Sequence, residues 1–252
     1  MWYIEPIEIF MIIPKTISLI INIIVLVILS HKQKLMLTWA ILLGLFCWTL
    51  YVLFDLIIFM IIANSALSFT IANMLFDWIF ILSHSFAFFI YLTAELIKID
   101  EQPLNKRKMG ILIGILALSA TVMILATELV IYDSDRTIIP ADNLPPIGFF
   151  TVEAKNIAIA IPFAFTVFII FFASIRTLWI LVHSFNDEIL KKKVRFLLIG
   201  AILIAAGMLW YLIVPTLFPG KGFIPSFGGH VLWVFAPIYF LKSQITPSKP
   251  NK

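Results

Sequence analysis

Four polar residues recur down one apolar segment of the chain: Asp77, His84, Tyr91 and Glu95, separated by 7, 7 and 4 positions. On a helix turning 100° per residue they fall within about 40° of one another, so one face carries two carboxylates, an imidazole and a phenol. Such a face can bind a cation, relay a proton or hold a polar ligand; it can equally tie helices together by hydrogen bonds. Neighbouring apolar segments repeat the habit. Lys15, Ser18 and Asn22 stand at i, i+3 and i+7; Gly44, Trp48, Tyr51 and Asp55 share a stripe, as do Gly110, Gly114, Thr121 and Glu128. The pair Gly110 and Gly114 suggests close helix packing more than dimerisation. An ionisable group inside a bilayer costs roughly 2.5–3.5 kcal/mol on insertion scales, so these positions carry the strongest functional signal in the chain.

Depth sharpens the signal. At 1.5 Å per residue, Lys15, Asp55, Asp77 and Glu128 each lie roughly 6–10 Å below the same end of their segments, and His230 opens the last segment. Three acids facing one ammonium cannot all stay ionised cheaply in a low-dielectric interior. A proton, His230 or a bound cation is expected to neutralise the excess. The candidate ligand pocket is therefore Lys15, Asp55, Asp77, His84, Glu128 and His230. A purely structural cluster organised by Lys15 is the competing reading.

The elements that must position these groups are apolar runs of membrane-spanning length. A span needs about 20 apolar residues, and seven candidates occur, at 9–29, 37–62, 73–97, 109–131, 156–183, 196–218 and 228–241, the last extendable to 245. The composition agrees: 62% of residues are hydrophobic, 13% charged, and the mean hydropathy is +1.07. The fold class expected is all-α, one seven-helix bundle embedded in the cell membrane and filling residues 1–252.

Orientation follows from Lys and Arg in the gaps. Lys32, Lys34, Lys98, Lys106, Arg107, Lys108, Arg176, Lys191, Lys192, Lys193, Arg195, Lys242, Lys249 and Lys252 fall to one side, fourteen of the eighteen basic residues. Lys15, Arg136, Lys155 and Lys221 make up the rest, and Glu5, Glu8, Asp133, Asp135, Asp142 and Glu153 lie on the sparsely basic side. The N-terminus is thus expected outside and the C-terminus in the cytoplasm. The pI near 9.1 reflects this asymmetry and an anionic inner leaflet rather than nucleic-acid binding. The acidic start and long first apolar run predict a translocated N-terminus, not a cleaved signal peptide.

Between the fourth and fifth spans, residues 132–155 form the longest outer gap, with Pro140, Pro145, Pro146 and Gly148. Its end, 147–152, has β character and suits a short hairpin over the bundle mouth; a lid and a plain connector are both open readings. Pro162, Pro215 and Pro237 lie in or near the ends of the last three spans, where bends can open a cavity or be passive.

Several chemistries find no residues. The last span lacks the mid-helix lysine that a retinal Schiff base needs. The third span reads Ala94-Glu-Leu-Ile-Lys98, without the Glu/Asp-Arg-Tyr motif of the large eukaryotic receptor family, and the single cysteine, Cys47, excludes an internal disulfide or a thiolate metal cluster. No hydrolase or phosphate-binding motif occurs. A metal centre built from His84, His230 and Asp77 is disfavoured. No cofactor, metal or enzymatic activity is expected. The absence of an internal repeat argues modestly against a secondary transporter.

The stretch Asn186-Asp-Glu-Ile-Leu-Lys-Lys-Lys-Val-Arg-Phe-Leu-Leu-Ile-Gly200, a charged cytoplasmic turn leading into an apolar helix, and the Pro/Gly-containing segment 144–155 resemble the seven-helix N-terminal sensor region of prokaryotic histidine kinases. Those sensors continue into a kinase, whereas this chain ends about ten residues beyond its last span. The resemblance implies a stand-alone sensor that signals to a separate protein. The function expected first is a ligand-sensing membrane protein, with Lys191, Lys192, Lys193 and Arg195 as the cytoplasmic interaction surface. A small cation- or proton-coupled transporter is the alternative, and a structural or assembly role the third. The partners this allows are the lipid bilayer, a small-molecule or cation ligand, a cytoplasmic signalling protein and a second copy of the chain.

Overall fold

The computed structural model describes residues 6–31, 36–60, 66–98, 105–132, 138–139, 149–154, 157–217 and 223–245. Among them are seven helices: α1 (Pro6–Ser30), α2 (Met36–Met60), α3 (Ala66–Lys98), α4 (Lys106–Ala126), α5 (Ile157–Ser184), α6 (Glu188–Leu217) and α7 (Phe223–Ile245). Three strands stand between α4 and α5: β1 (Thr127–Tyr132), β2 (Ile138–Ile139) and β3 (Phe149–Ala154). α1 packs on α2 and α7, α2 on α3, α3 on α4 and α5, α5 on α4 and α6, and α6 on α7. The bundle therefore closes on itself, and α1, α2 and α7 share one seam.

Six helices, α1 to α6, are long and apolar enough to cross a membrane. Their outer faces are apolar as well: Ile20, Ile24, Trp39, Phe46, Ile113, Leu118, Leu125, Ile169, Phe172 and Trp179 are all exposed. A surface of that kind suits lipid rather than water as its solvent, the mark of a multi-pass membrane protein. The interior is a continuous apolar cluster centred on Leu45, Trp48, Phe86, Phe171, Ile204, Trp233 and Phe240.

The fourth span is shorter than the apolar run predicts, and 127–131 is strand rather than helix. At Thr127 the backbone turns extended (φ −120°, ψ 157°), while its N–H and its hydroxyl both donate to Met123 O, the hydroxyl at 2.6 Å. The β-branched and aromatic run Thr127-Glu-Leu-Val-Ile-Tyr132 then favours a strand. β1 pairs antiparallel with β3 from Thr127↔Ala154 to Tyr132↔Phe149, and with β2 through Ile131↔Ile139. The architecture is thus a seven-helix bundle with one three-stranded antiparallel sheet, order β2-β1-β3, resting against α3 and α4. The expected hairpin at 147–152 is corrected to a non-local pairing; residues 147 and 148 lie outside the described ones.

α6 begins earlier than expected. Asp187 Oδ1 accepts the backbone N–H groups of Ile189 (2.8 Å) and Leu190 (3.2 Å), which caps the helix, and Glu188 adds an acid to its first turn. Lys191, Lys192, Lys193 and Arg195 are therefore helical, and the non-helical connection shrinks to 185–187. α7 runs through Pro237 to Ile245, and α3 starts at Ala66, two turns before the predicted 73.

Glycines set the closest helix contacts. A Cβ added at Gly200 would meet the Phe240 ring at 3.1 Å, and one at Gly207 would overlap the Trp233 indole and lie 3.0 Å from Gly229 O. The Trp233 Nε1–H donates across the same contact to Ile204 O at 3.2 Å. α6 and α7 can approach this closely only because Gly207 has no side chain. By contrast, Gly110 and Gly114 meet nothing within 4 Å, so the packing role expected for this pair is not found inside the bundle.

Candidate functional site

The side chain of Asp55, near the end of α2, joins three helices. Its Oδ2 accepts from Lys15 Nζ of α1 at 2.8 Å and from His230 Nε2 of α7 at 3.3 Å. Lys15 and His230 are deeply buried, with side chains 6% and 4% exposed, whereas Asp55 keeps 29% of its side-chain surface open. A buried ammonium is tolerable only beside a counter-charge, and Asp55 supplies it. The shared carboxylate also gives His230 a partner across the bundle.

Aromatic rings floor this cluster. Trp233, one turn after His230, has its ring 4.9 Å from the imidazole. Trp48 stacks on Tyr51 (4.8 Å, 5° between planes) and meets Trp233 edge-on (4.9 Å, 89°), with Phe86 behind it at 5.0 Å. Tyr51 and Trp48 lie four and seven residues before Asp55, the stripe read from the sequence. On α1 the matching stripe, Lys15, Ser18 and Asn22, is buried along its length.

Of the six pocket candidates, the structure thus brings Lys15, Asp55 and His230 together. His84 belongs elsewhere. Its Nδ1–H donates to Phe80 O at 2.7 Å, which leaves Nε2 to accept from the Ser119 hydroxyl of α4 at 2.9 Å. Further along the same face, Glu95 Oε2 pairs with Lys108 Nζ at 3.0 Å, and that ammonium lies 5.2 Å from the Tyr91 ring centroid. The α3 stripe therefore faces α4 and serves interhelical bonding there. It also borders a groove of about 420 Å³ lined by His84, Phe88, Phe89, Ile113, Ala117 and Thr121.

Asp77 does not reach the cluster: among the described residues no ion pair joins it, and its side chain is half-buried. Glu128 is on β1, opposite Glu153, and not on a helical stripe with Gly110 and Gly114. Among the described residues, the carboxylate seen between the Lys15 ammonium and the His230 imidazole is that of Asp55, and the expected place of Asp77 in this layer is corrected. The misassignment arose because shared depth does not imply a shared side of the bundle. Trp233 was missed; its place three residues after His230 was the available signal. Among the described residues no group of three or more His, Cys, Asp or Glu side chains gathers as a metal site requires. Cys47 is half-buried among apolar neighbours. A scan against protein-family models matches none, and a search of curated proteins finds no match.

Proposed function

We propose that the chain is a stand-alone seven-helix membrane sensor whose Lys15–Asp55–His230 cluster reads a small ionic or polar ligand. The observation that carries this reading is Asp55: one carboxylate, partly open, holds α1, α2 and α7 together. A ligand that competes for Lys15 or His230 changes how α7 sits on its neighbours. α7 is also the tight partner of α6, with Gly207 against Trp233 leaving little slack, so a displacement at His230 travels to the far end of both helices. There Lys192 and Lys242 both lie 6.0 Å from the Phe196 ring, and Lys191, Lys193 and Arg195 complete a basic surface for a separate cytoplasmic protein. In this reading all seven helices cross the cell membrane, the N-terminus is outside, and the fourteen-of-eighteen split of basic residues supports that orientation. The resemblance to kinase-linked sensor regions points the same way, and no catalysis is involved.

A cation- or proton-coupled transporter is the second reading. What favours it is the row of polar groups, Ser18, Asn22 and Tyr51, continuing inward from the cluster. One experiment separates the two. A fluorophore on Asn186→Cys, exposed in the α5–α6 connection, reports on the inner surface of Cys47→Ser protein in liposomes. Simple inorganic ions, organic acids, amines and pH steps are applied outside. A change of emission without solute uptake, lost in Asp55→Asn, is expected of a sensor. Uptake without a change at the inner surface overturns sensing in favour of transport.

A further inference from the structure

One helical repeat inward from the charged cluster, two buried polar atoms have no hydrogen-bond partner among the described residues: Asn22 Oδ1 and Trp48 Nε1. Both residues are 0% exposed. Leaving such a group unpaired is costly, and folded proteins rarely do so. The orientation of the Asn22 amide is fixed, because its Nδ2 donates to Ser18 O at 2.8 Å and to Ser18 Oγ at 3.3 Å. Reversing the amide would set two carbonyl oxygens against each other.

Helix register sets the two residues at one level of the bundle. The Lys15–Asp55 contact sets the register of the antiparallel pair α1 and α2. Asn22 lies seven residues after Lys15, and Trp48 seven before Asp55. Each step is about 10 Å along its helix and turns the side chain by only about 20°. An unpaired acceptor and an unpaired donor therefore stand at the same depth, on the two stripes that already face each other at the ion pair. Trp48 is hemmed by Tyr51, Phe86 and Trp233, which makes the surroundings neutral and aromatic.

We propose that Asn22 and Trp48 form an internal site for one neutral hydroxyl group, which donates to Asn22 Oδ1 and accepts from Trp48 Nε1–H. A hydroxyl fits because it offers one donor and one acceptor, and the site carries no charge to hold an ion. The group is supplied either by a water molecule or by the hydroxyl of a bound small molecule. The site goes beyond the sensing assignment and stands without it. It extends the polar seam from Lys15, Asp55 and His230 into the middle of the bundle.

The test uses the full chain, labelled with 15N-tryptophan in detergent micelles, with the Trp48 indole resonance identified from Trp48→Phe. A magnetisation-transfer cross-peak between water and the Trp48 indole, lost in Asn22→Leu, establishes water as the source. If that cross-peak is missing, a co-purifying hydroxylated molecule seen by native mass spectrometry, whose removal shifts the Trp48 indole resonance, establishes a ligand hydroxyl. The absence of both results in the wild-type protein overturns the site, and this holds even where Asn22→Leu fails to fold. The Asn22→Leu protein, where it folds, is expected to melt roughly 2–4 °C lower because the bridging group loses its acceptor. A higher melting temperature overturns the proposal too, since removing a truly orphaned amide relieves the bundle.

Discussion

The Asp55→Asn change keeps the size of the side chain and removes its charge. It takes from the Lys15 ammonium, 6% exposed, the carboxylate charge 2.8 Å away. Breaking a fully buried pair from one side costs about 3–5 kcal/mol. Asp55 keeps 29% of its side-chain surface open, so the pair is not fully enclosed by the bundle and the expected cost falls to about 2–3 kcal/mol. For a chain of this size, that corresponds to a melting temperature roughly 5–10 °C lower. His230 still finds an acceptor in the asparagine amide, so its bond adds little to the loss. Thermal unfolding of the detergent-purified protein, followed by the fraction that remains monodisperse, reads the change. The double variant Lys15→Met, Asp55→Asn has no stranded charge and is expected to regain most of the loss. Asp77→Asn is the comparison: no ion pair joins Asp77 among the described residues, and a shift within about 0.5 kcal/mol is expected. If Asp55→Asn melts like the wild type, or if the double variant is simply the sum of its parts, the ion pair does not hold the three helices.

Two glycine substitutions should behave oppositely. Gly207→Ala places a methyl group against the Trp233 indole and Gly229 O and is expected to destabilise by about 1–3 kcal/mol, whereas Gly114→Ala meets open space and gains up to about 1 kcal/mol of helix propensity; equal melting shifts would refute the α6–α7 contact. The orientation is checked by cysteine labelling in Cys47→Ser protein. An impermeant reagent added outside is expected to modify Asp142→Cys, outside the described residues, and to miss Asn105→Cys at the exposed N-cap of α4; the reverse pattern inverts the topology.

Much of this molecule is legible in its residue order because a bilayer is a demanding solvent. Seven helices could be located from apolar runs alone, since a chain in lipid must satisfy its backbone locally, and local patterns are what a sequence displays. The stripes on α1 and α2 were legible for the same reason: Lys15, Ser18 and Asn22, and Trp48, Tyr51 and Asp55, repeat at helical spacing. Periodicity says which residues share a face, but not which face of which helix lies opposite. Hence Lys15 and His230, 215 positions apart in sequence, meet at Asp55 in the folded bundle, while no ion pair among the described residues joins Asp77 to them and Glu128 falls on β1 rather than on a helix. The end of α4 was hidden because Leu129, Val130 and Ile131 continue the apolar run of the helix before them. Only the distant Phe149–Ala154 segment, supplying backbone partners, turns that run into a strand. Helix boundaries near Asp187 likewise depended on one side chain folding back to cap two N–H groups. Local chemistry therefore determined the elements, and contacts between residues far apart in the chain decided which polar groups became a site.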